Sequence, residues 1–286
     1  ETRVVIVDTQ RGGPSTGLPT KQEQSDLNAM IYGTHGEIPK IVIAPSTIED
    51  CFYDTIEAFN LAEQYQCPVI ILTDLQLSLG KQTSENLKFE EIQINRGKLI
   101  DNPPSEGDGL FKRYEFTEDG ISPRVLPGTK NGIHHVTGVE HNEVGRPSEH
   151  HENRKKMMEK RLKKLNNLRI KRPLLIDAPH ENPDLLIVSM GSTGGTIDEA
   201  RGRLTNDGIT TNHITVRQIH PFPAEDFKPY AEKAKLIAVV EHNATGQLAN
   251  LIKLHVGYAD KIKNILKYNG NPFLPAEIYE KTKGLV

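Results

Sequence analysis

Residues 4–21, VVIVDTQRGGPSTGLPTK, carry the strongest structural signal in this chain. Residues 4–7 form a continuous apolar run, which is typical of a parallel strand covered on both faces. A glycine-rich loop begins where that strand ends, and open α/β sheets bind ligands at the carboxyl ends of their strands. We therefore expect a parallel-sheet domain with a ligand-binding loop directly after its first strand.

Strands and helices alternate after this loop. A polar helix is expected over residues 21–32, a second strand over 41–44 and a third over 68–74. Ser46 or Thr47 is placed to cap a helix between the last two strands. We expect this helix to bury one face at helical spacing, formed by Ile48, Phe52, Thr55, Ile56, Phe59 and Ala62. The alternation predicts right-handed crossovers in a parallel sheet.

Residues 84–150 lack such a pattern, because prolines and glycines, Gly107 among them, interrupt every longer segment. We expect an extended arm that lies on a partner or on its own domain. A charged helix is expected over residues 152–168, with a thin apolar stripe formed by Met157, Met158, Leu162, Leu165 and Leu168. We interpret its lysines and arginines as solvated; contact with nucleic acid or an acidic protein is the alternative.

A second α/β unit follows over residues 180–286. Strands are expected at residues 184–190, 213–216 and 235–241, and a helix at 247–256. The chain then divides into three parts: residues 1–101, a parallel-sheet domain; residues 102–170, the irregular connecting arm and charged helix; and residues 171–286, a second α/β domain.

Composition narrows the class of protein. A formal net charge of −3 argues against a protein held to nucleic acid by a positive field. The sequence has no apolar run near the ~20 residues that a membrane span needs, and no secretory leader opens it. We therefore expect a cytoplasmic protein that binds neither nucleic acid nor membrane. Because Glu1 and Thr2 lead directly into a strand, we also expect the sequence to belong to a longer chain.

The two cysteines, Cys51 and Cys67, lie in apolar contexts, and their spacing fits no zinc or iron–sulfur ligand set. We interpret both as buried thiols. Any iron–sulfur cluster with which this protein works is then expected on another chain.

The loop after the first strand has the chemistry of a site for a small anion. Arg11 offers a planar, permanently charged guanidinium that suits a carboxylate. Gly12 and Gly13 permit a close backbone approach, and hydroxyl donors come from Ser15, Thr16 and Thr20. The spacing does not fit a phosphate-binding P-loop. The alternative is a surface loop whose arginine pairs with a nearby acid.

Three other segments have weaker claims. The arm contains histidines and glutamates that suggest a metal cluster, namely His134, His135, Glu140, His141, Glu143, His150 and His151. We interpret them as surface or partner-contact residues, because an irregular arm does not fix ligand geometry. Residues 191–195 are interpreted as a tightly packed turn, with an anion at the helix start as the alternative. Residues 241–243 either pack as scaffolding with residues 220–223 or lie at an interface or near a bound coenzyme.

The sequence resembles a known enzyme family. Residues 9–21, TQRGGPSTGLPTK, with Asp26-Leu27, YGTHGE at 32–37, PVIILTD at 68–74 and GVEHNEVGRPS at 138–148, are similar to the α subunit of 2-oxoacid:ferredoxin oxidoreductases. The branch that acts on 2-oxoglutarate is the most similar, and the resemblance spans essentially the whole chain. It implies a partial thiamine-diphosphate-binding-type parallel-sheet domain of the pyrimidine type, followed by a transketolase C-terminal-like α/β domain.

The family implies a division of labour between subunits. A β subunit holds most of the thiamine diphosphate, its Mg²⁺ and a [4Fe-4S] cluster, and CoA is the co-substrate. Ferredoxin accepts the electrons, a γ-type domain is fused upstream or separate, and two αβ units are expected to form a dimer. By resemblance, Arg11 binds the substrate carboxylate and Thr20 lines the pocket near it, in the loop formed by Gly12, Gly13, Ser15 and Thr16.

Two family features are absent from this sequence: the Tyr-Pro-Ile-Thr-Pro motif and the glutamate that activates the pyrimidine. Both precede the Arg-Gly-Gly-Pro segment in the family, so we expect the chain to be inactive alone. A non-catalytic assembly module remains an alternative, as does the same enzyme class acting on pyruvate or another 2-oxoacid. A transketolase-like enzyme is a third interpretation, because it shares the fold.

Overall fold

A computed structural model of the chain describes residues 1–104 and 109–286; residues 105–108 of the predicted arm, with Gly107, lie outside them. The described strands are β1 Val4–Gln10, β2 Ile41–Ile43, β3 Pro68–Asp74, β4 Leu174–Asp177, β5 Leu185–Ser189, β6 Thr211–Val216, β7 Gln218–His220, β8 Leu236–Glu241 and β9 Ile262–Leu266. The α-helices are α1 Leu27–Tyr32, α2 Ile48–Tyr65, α3 Leu75–Leu79, α4 His151–Lys163, α5 Gly194–Asn206, α6 Ala224–Lys233, α7 Gln247–His255 and α8 Pro275–Lys283.

The strands form two sheets. The first has four strands in the order β1-β3-β2-β7, and the second has five in the order β4-β6-β5-β8-β9. Both contain the parallel pairs that the strand–helix alternation predicts, and each also has one antiparallel pair. A parallel-sheet α/β fold is therefore confirmed.

One core joins the two sheets. Leu27, Val42 and Leu72 from the first part of the chain pack in the same buried cluster as Val188 and Ile214 from the second. In addition, β7 follows β6 in the chain but pairs with β2 in the first sheet. The division at residues 101 and 170 therefore remains a proposal, since residues 218–220 complete the sheet of the other part.

Strand β1 differs from the prediction. It pairs only with β3 at the edge of the first sheet, and Val4, Ile6 and Val7 are between 39% and 61% exposed. The expectation of a strand covered on both faces was wrong for the described residues. An apolar run indicates that a strand prefers burial, but it does not say which chain supplies the covering surface.

Helix α2 begins as predicted and buries a different face. The Thr47 hydroxyl accepts a hydrogen bond from the Asp50 backbone N–H, which confirms the N-cap. The buried face is formed by Asp50, Asp54, Ala58, Leu61, Ala62 and Tyr65, whereas Phe59 of the predicted face is 57% exposed. Arg217 pairs with both Asp50 and Asp54. The prediction was wrong because it placed apolar residues inside, without a buried arginine as partner for two carboxylates.

The helix predicted over residues 21–32 is shorter. Only Leu27–Tyr32 is helical, and residues 22–25 belong to no helix or strand. The backbone N–H of Gln22 donates to Gly270 O at 3.1 Å, and that of Gln24 donates to His242 O at 2.7 Å. This segment is not helical because its backbone N–H groups hydrogen-bond to the second half of the chain.

The arm is irregular, as predicted, apart from a single 3₁₀ turn at Phe89–Glu91 in its described part. Helix α4 is slightly shorter than expected, and its cations are not all solvated. Lys160 and Lys164 are buried and both pair with the Glu1 carboxylate. The solvated interpretation was wrong for these two lysines, because a buried acid neutralises them. No helix within the described residues is long and apolar enough to cross a membrane.

Candidate active site

The glycine-rich loop lies at the carboxyl ends of β1 and β3. Residues 11–21, here called the Arg11 loop, fold back on themselves: the Gly12 N–H donates to Lys21 O at 3.3 Å and the Leu18 N–H donates to Gly12 O at 2.7 Å. Gly17 has φ of +37°, and a Cβ there would overlap the Gly12 carbonyl oxygen. A side chain at position 17 would open this closed loop, so the turn requires glycine.

A pocket of about 470 Å³ opens between this loop and the strand end. It is lined by Asp8, Thr9, Arg11, Gly13, Pro14, Ser15, Pro19, Asp26 and Leu75. Its volume falls in the range of small-molecule sites, ~300–1,000 Å³. Asp8, Asp26 and Leu75 were not predicted as site residues from the sequence, although Asp8 directly follows the apolar run that defines the strand.

Arg11 is half-buried in this pocket and carries an available charge. Within residues 1–104 and 109–286, no group hydrogen-bonds or ion-pairs with its guanidinium. A guanidinium that no acid among the described residues neutralises can bind a carboxylate through two parallel hydrogen bonds. The geometry therefore supports an anion as the ligand.

Two carboxyls share the pocket with Arg11. Burial raises the pKa of Asp8, and the nearby charge of Asp26 raises it further; burial also raises the pKa of Asp26. The Oδ2 atom of Asp8 is buried and has no hydrogen-bond partner among the described residues. Higher pKa values make these groups easier to protonate, which reduces their repulsion of an anionic ligand.

The predicted loop residues do not all contact the pocket. Gly13 and Ser15 line it with Arg11, whereas Gly12 is buried in the loop base and Thr16 and Thr20 are exposed outside the lining. The role of Thr20 near the substrate stays a prediction. Gly12 is buried because its backbone makes the two hydrogen bonds that close the loop.

The histidine-rich arm does not assemble a metal-binding group in the part of the chain that the structure describes. Glu140 accepts hydrogen bonds from Arg154 and Arg161 at 2.6 and 2.5 Å. Burial alone would raise the pKa of Glu140, but hydrogen bonds and charge from the two arginines lower it to about 2. His141 packs its ring on Tyr114, with centroids 4.1 Å apart.

Residues 241–243 are buried structural groups. The Glu241 carboxylate accepts from the backbone N–H of Leu248 and Ala249 at 2.7 and 3.0 Å, so it caps the start of α7. The Nε2 atom of His242 accepts from the Phe273 N–H at 3.1 Å, and burial lowers the pKa of His242 to about 4. Of the cysteines, Cys67 is buried and Cys51 half-buried, and burial raises both thiol pKa values to about 11.

Two family descriptions match the chain. "Pyruvate flavodoxin/ferredoxin oxidoreductase, thiamine diP-bdg" covers residues 1–160, and "Pyruvate:ferredoxin oxidoreductase core domain II" covers residues 183–278. The chain belongs to the 2-oxoacid:ferredoxin oxidoreductase α-subunit family. The family resemblance seen in the sequence is thereby confirmed, together with the thiamine-diphosphate-binding type of fold.

Individual family members show the same relationship. The α subunit of 2-oxoacid:ferredoxin oxidoreductase 2 from Aeropyrum pernix is 37% identical over 100% of this chain and 44% of its own length. The structure of 2-oxoglutarate:ferredoxin oxidoreductase from Magnetococcus marinus, with 2-oxoglutarate, coenzyme A and succinyl-CoA bound, superimposes with a TM-score of 0.88 at 38% identity. That match covers 98% of this chain and 48% of the other, so the chain spans about half the length of these family members.

A more distant structure shows the fold alone. An inactive β4 tetramer of a split-gene transketolase is 12% identical, with a TM-score of 0.51, over 98% of this chain and 65% of the other. The transketolase-like part of the fold prediction agrees with this likeness, which carries no information about activity.

The pocket beside Arg11 does not fit the diphosphate end of thiamine diphosphate. Among its lining residues Arg11 is the one lysine or arginine, and two carboxyls face the same space. A diphosphate with a divalent metal needs more positive charge or a set of metal ligands. We therefore do not place the diphosphate of the cofactor in this pocket. The lining fits a small monovalent anionic group instead.

Proposed function

We propose that this chain is the α-subunit portion of a thiamine-diphosphate-dependent 2-oxoacid:ferredoxin oxidoreductase. The reaction is the oxidative decarboxylation of 2-oxoglutarate with CoA, which gives succinyl-CoA, CO₂ and two reduced ferredoxins. The proposal rests on the Arg11 guanidinium at the carboxyl ends of β1 and β3, which has no ion-pair or hydrogen-bond partner in the part of the chain that the structure describes.

Arg11 binds the carboxylate next to the 2-oxo group in this proposal. A bidentate guanidinium fixes the plane and direction of a carboxylate, so it orients the bond that must break when CO₂ leaves. Thiamine diphosphate, when bound elsewhere in the complex, supplies the electron sink for that carbon. This chain contributes binding and orientation of the substrate, with Thr20 as a proposed further contact.

The choice of 2-oxoglutarate rests on the M. marinus enzyme, whose structure contains 2-oxoglutarate and succinyl-CoA. Some family members, such as the α subunit from Aeropyrum pernix, carry the broader name 2-oxoacid. We propose that a β subunit supplies the diphosphate site, Mg²⁺ and the [4Fe-4S] cluster, that ferredoxin accepts the electrons, and that the complex works in the cytoplasm as a dimer of αβ units. We also propose that this chain has three domains, at residues 1–101, 102–170 and 171–286.

The test uses the full-length α-type protein co-expressed with its β partner and loaded with cofactors. Reduction of a low-potential dye is followed with 2-oxoglutarate and CoA, with pyruvate in a parallel reaction, and the acyl-CoA product is identified. Turnover with 2-oxoglutarate supports the proposal. Turnover with pyruvate alone keeps the reaction class and rejects the substrate.

Two other outcomes separate the remaining candidates. An assembled, cofactor-loaded complex without 2-oxoacid-dependent reduction supports an assembly module and rejects the enzyme. Release of a ketose or aldehyde, with no acyl-CoA, supports a transketolase-like reaction instead.

A further inference from the structure

The position of Arg11 depends on how the two ends of its loop are held. The Arg11 loop is closed on itself, so its base at residues 10 and 22 sets its place in the fold. At the first end, the Gln10 side chain is buried; its Nε2 donates to Thr73 O at 3.3 Å and its Oε1 accepts from the Asp26 N–H at 3.1 Å. This end is held by the first sheet.

The second end is held by the other half of the chain. Gln24 is fully buried, and its Nε2 lies 2.8 Å from Asp74 Oδ2, 3.1 Å from Met190 O and 3.4 Å from Thr193 Oγ1. Its backbone N–H donates to His242 O at 2.7 Å, and its carbonyl accepts from the Asn243 amide at 3.1 Å.

Asp74 connects these contacts to β1, the strand that ends directly before Arg11. It is fully buried at the end of β3, directly opposite Gln10 in the β1–β3 register. Its Oδ2 accepts from Gln24 Nε2 and from the Ser192 N–H at 2.9 Å, and its Oδ1 accepts from the Leu77 N–H at 3.0 Å. One carboxylate thus fixes the strand end, the outgoing end of the loop and the turn after β5.

We propose that Gln24 is a positioning residue: through Asp74 it fixes the Arg11 loop against the second half of the chain, and so sets where Arg11 meets the substrate carboxylate. The inference rests on the proposed function for its kinetic consequence. Its structural part does not, because the contacts that hold the loop are made between residues of this chain.

The amide of Gln24 is the group that matters. A buried carboxylate needs donors, and Gln24 provides the side-chain N–H that Asp74 accepts. Gln24→Glu keeps the shape but places a second carboxylate against Asp74 Oδ2 and Met190 O. Gln24→Met keeps the length, removes the donor and adds no charge.

Gln66→Glu is a matched control. Gln66 is also buried, and its Nε2 donates to Ser122 O at 2.6 Å, away from the Arg11 loop. The same amide-to-acid change there costs a buried hydrogen bond but leaves both ends of the loop intact.

The first measurement is amide hydrogen exchange in the full-length αβ complex without substrate. We expect exchange at Gly12 and Leu18 to become about tenfold faster in both Gln24 variants, because these two N–H groups close the loop. Exchange at these amides stays as in the wild type in Gln66→Glu. Unchanged loop exchange in both Gln24 variants overturns the inference.

The second measurement is steady-state dye reduction. The KM for the 2-oxoacid rises about tenfold in the Gln24 variants, which corresponds to about 1.4 kcal/mol, while the KM for CoA changes less than about twofold. Equal effects on both KM values, or loss of assembly in both variants, overturns the positioning role. A wild-type complex without 2-oxoacid turnover rejects the proposed function, while faster loop exchange still supports the structural link.

Discussion

Replacing Gly191 with alanine should disrupt the junction between the two sheets at a defined point. Gly191 is buried with φ of +61°, and a Cβ there would overlap Asp74 Oδ2 and lie 2.8 Å from Gln24 Nε2. Alanine in the left-handed region costs about 1 kcal/mol. Displacing the Asp74 carboxylate, which accepts from Gln24 and Ser192, adds about 1–3 kcal/mol. We therefore expect Gly191→Ala to lower the free energy of unfolding by about 3 kcal/mol in total.

Gly208→Ala is the matched control for this prediction. Gly208 has φ of +80°, and no atom lies within 4 Å of its added Cβ, so only the backbone cost of about 1 kcal/mol applies. Urea unfolding of both variants gives the two free energies of unfolding. A Gly191→Ala loss no larger than that of Gly208→Ala would show that the Asp74 contacts contribute nothing to the junction.

Three further predictions concern buried or interacting side chains. His242 has a folded pKa of about 4, below its ordinary 6.5, so its contribution to stability is present above pH 6.5 and is lost as the pH falls towards 4. When the free energy of unfolding is measured against pH, His242→Gln should remove roughly 3 kcal/mol of this acid dependence. Identical pH profiles of the variant and the wild type would contradict this prediction. Glu140, with a folded pKa of about 2, contributes stability above pH 4.5 that is lost as the pH falls towards 2. Glu140→Gln should lower the free energy of unfolding by about 1 kcal/mol at pH 6, where solvent screening limits the effect, and by much less at pH 2. An equal loss at both pH values would exclude the ion pair as its cause. Thr20→Ala should raise the KM for the 2-oxoacid about fivefold if one hydrogen bond to substrate is lost, and an unchanged KM would remove Thr20 from the site.

Sequence patterns predicted the elements well wherever local signals agree. Strand β3 follows from an apolar run and the start of α2 from the capping residue Thr47, and both signals act over a few positions. The Arg11 loop was also found from its glycines and its place after a strand.

Burial was harder to predict, because it depends on residues far away in the chain. Asp54 is inside only because Arg217 reaches it from the second half, and Lys160 and Lys164 are inside because they meet Glu1. Exposed Val7 shows the opposite error, since an apolar strand can lie at a sheet edge. No local pattern reveals such long-range partners.

The dependence on distant residues also limited the prediction of the candidate site. Arg11 could be found from its chemical type and motif, whereas Gln24 is one of two glutamines in the polar stretch at residues 21–26. Its importance comes from contacts with Asp74, Met190 and His242, which are distant in sequence. Residues that position a site are therefore visible only when the fold brings their partners together.

The most direct test of substrate binding by Arg11 compares Arg11→Ala with Lys21→Ala in the assembled αβ complex. Both variants remove one positive charge from the same loop, but only Arg11 lines the pocket. We expect kcat/KM for the 2-oxoacid to fall at least about 100-fold in Arg11→Ala, because a charge-assisted contact with the substrate carboxylate is lost. In Lys21→Ala it should fall less than about threefold. Normal kcat/KM in Arg11→Ala would contradict this role, because Arg11 would then not bind the substrate.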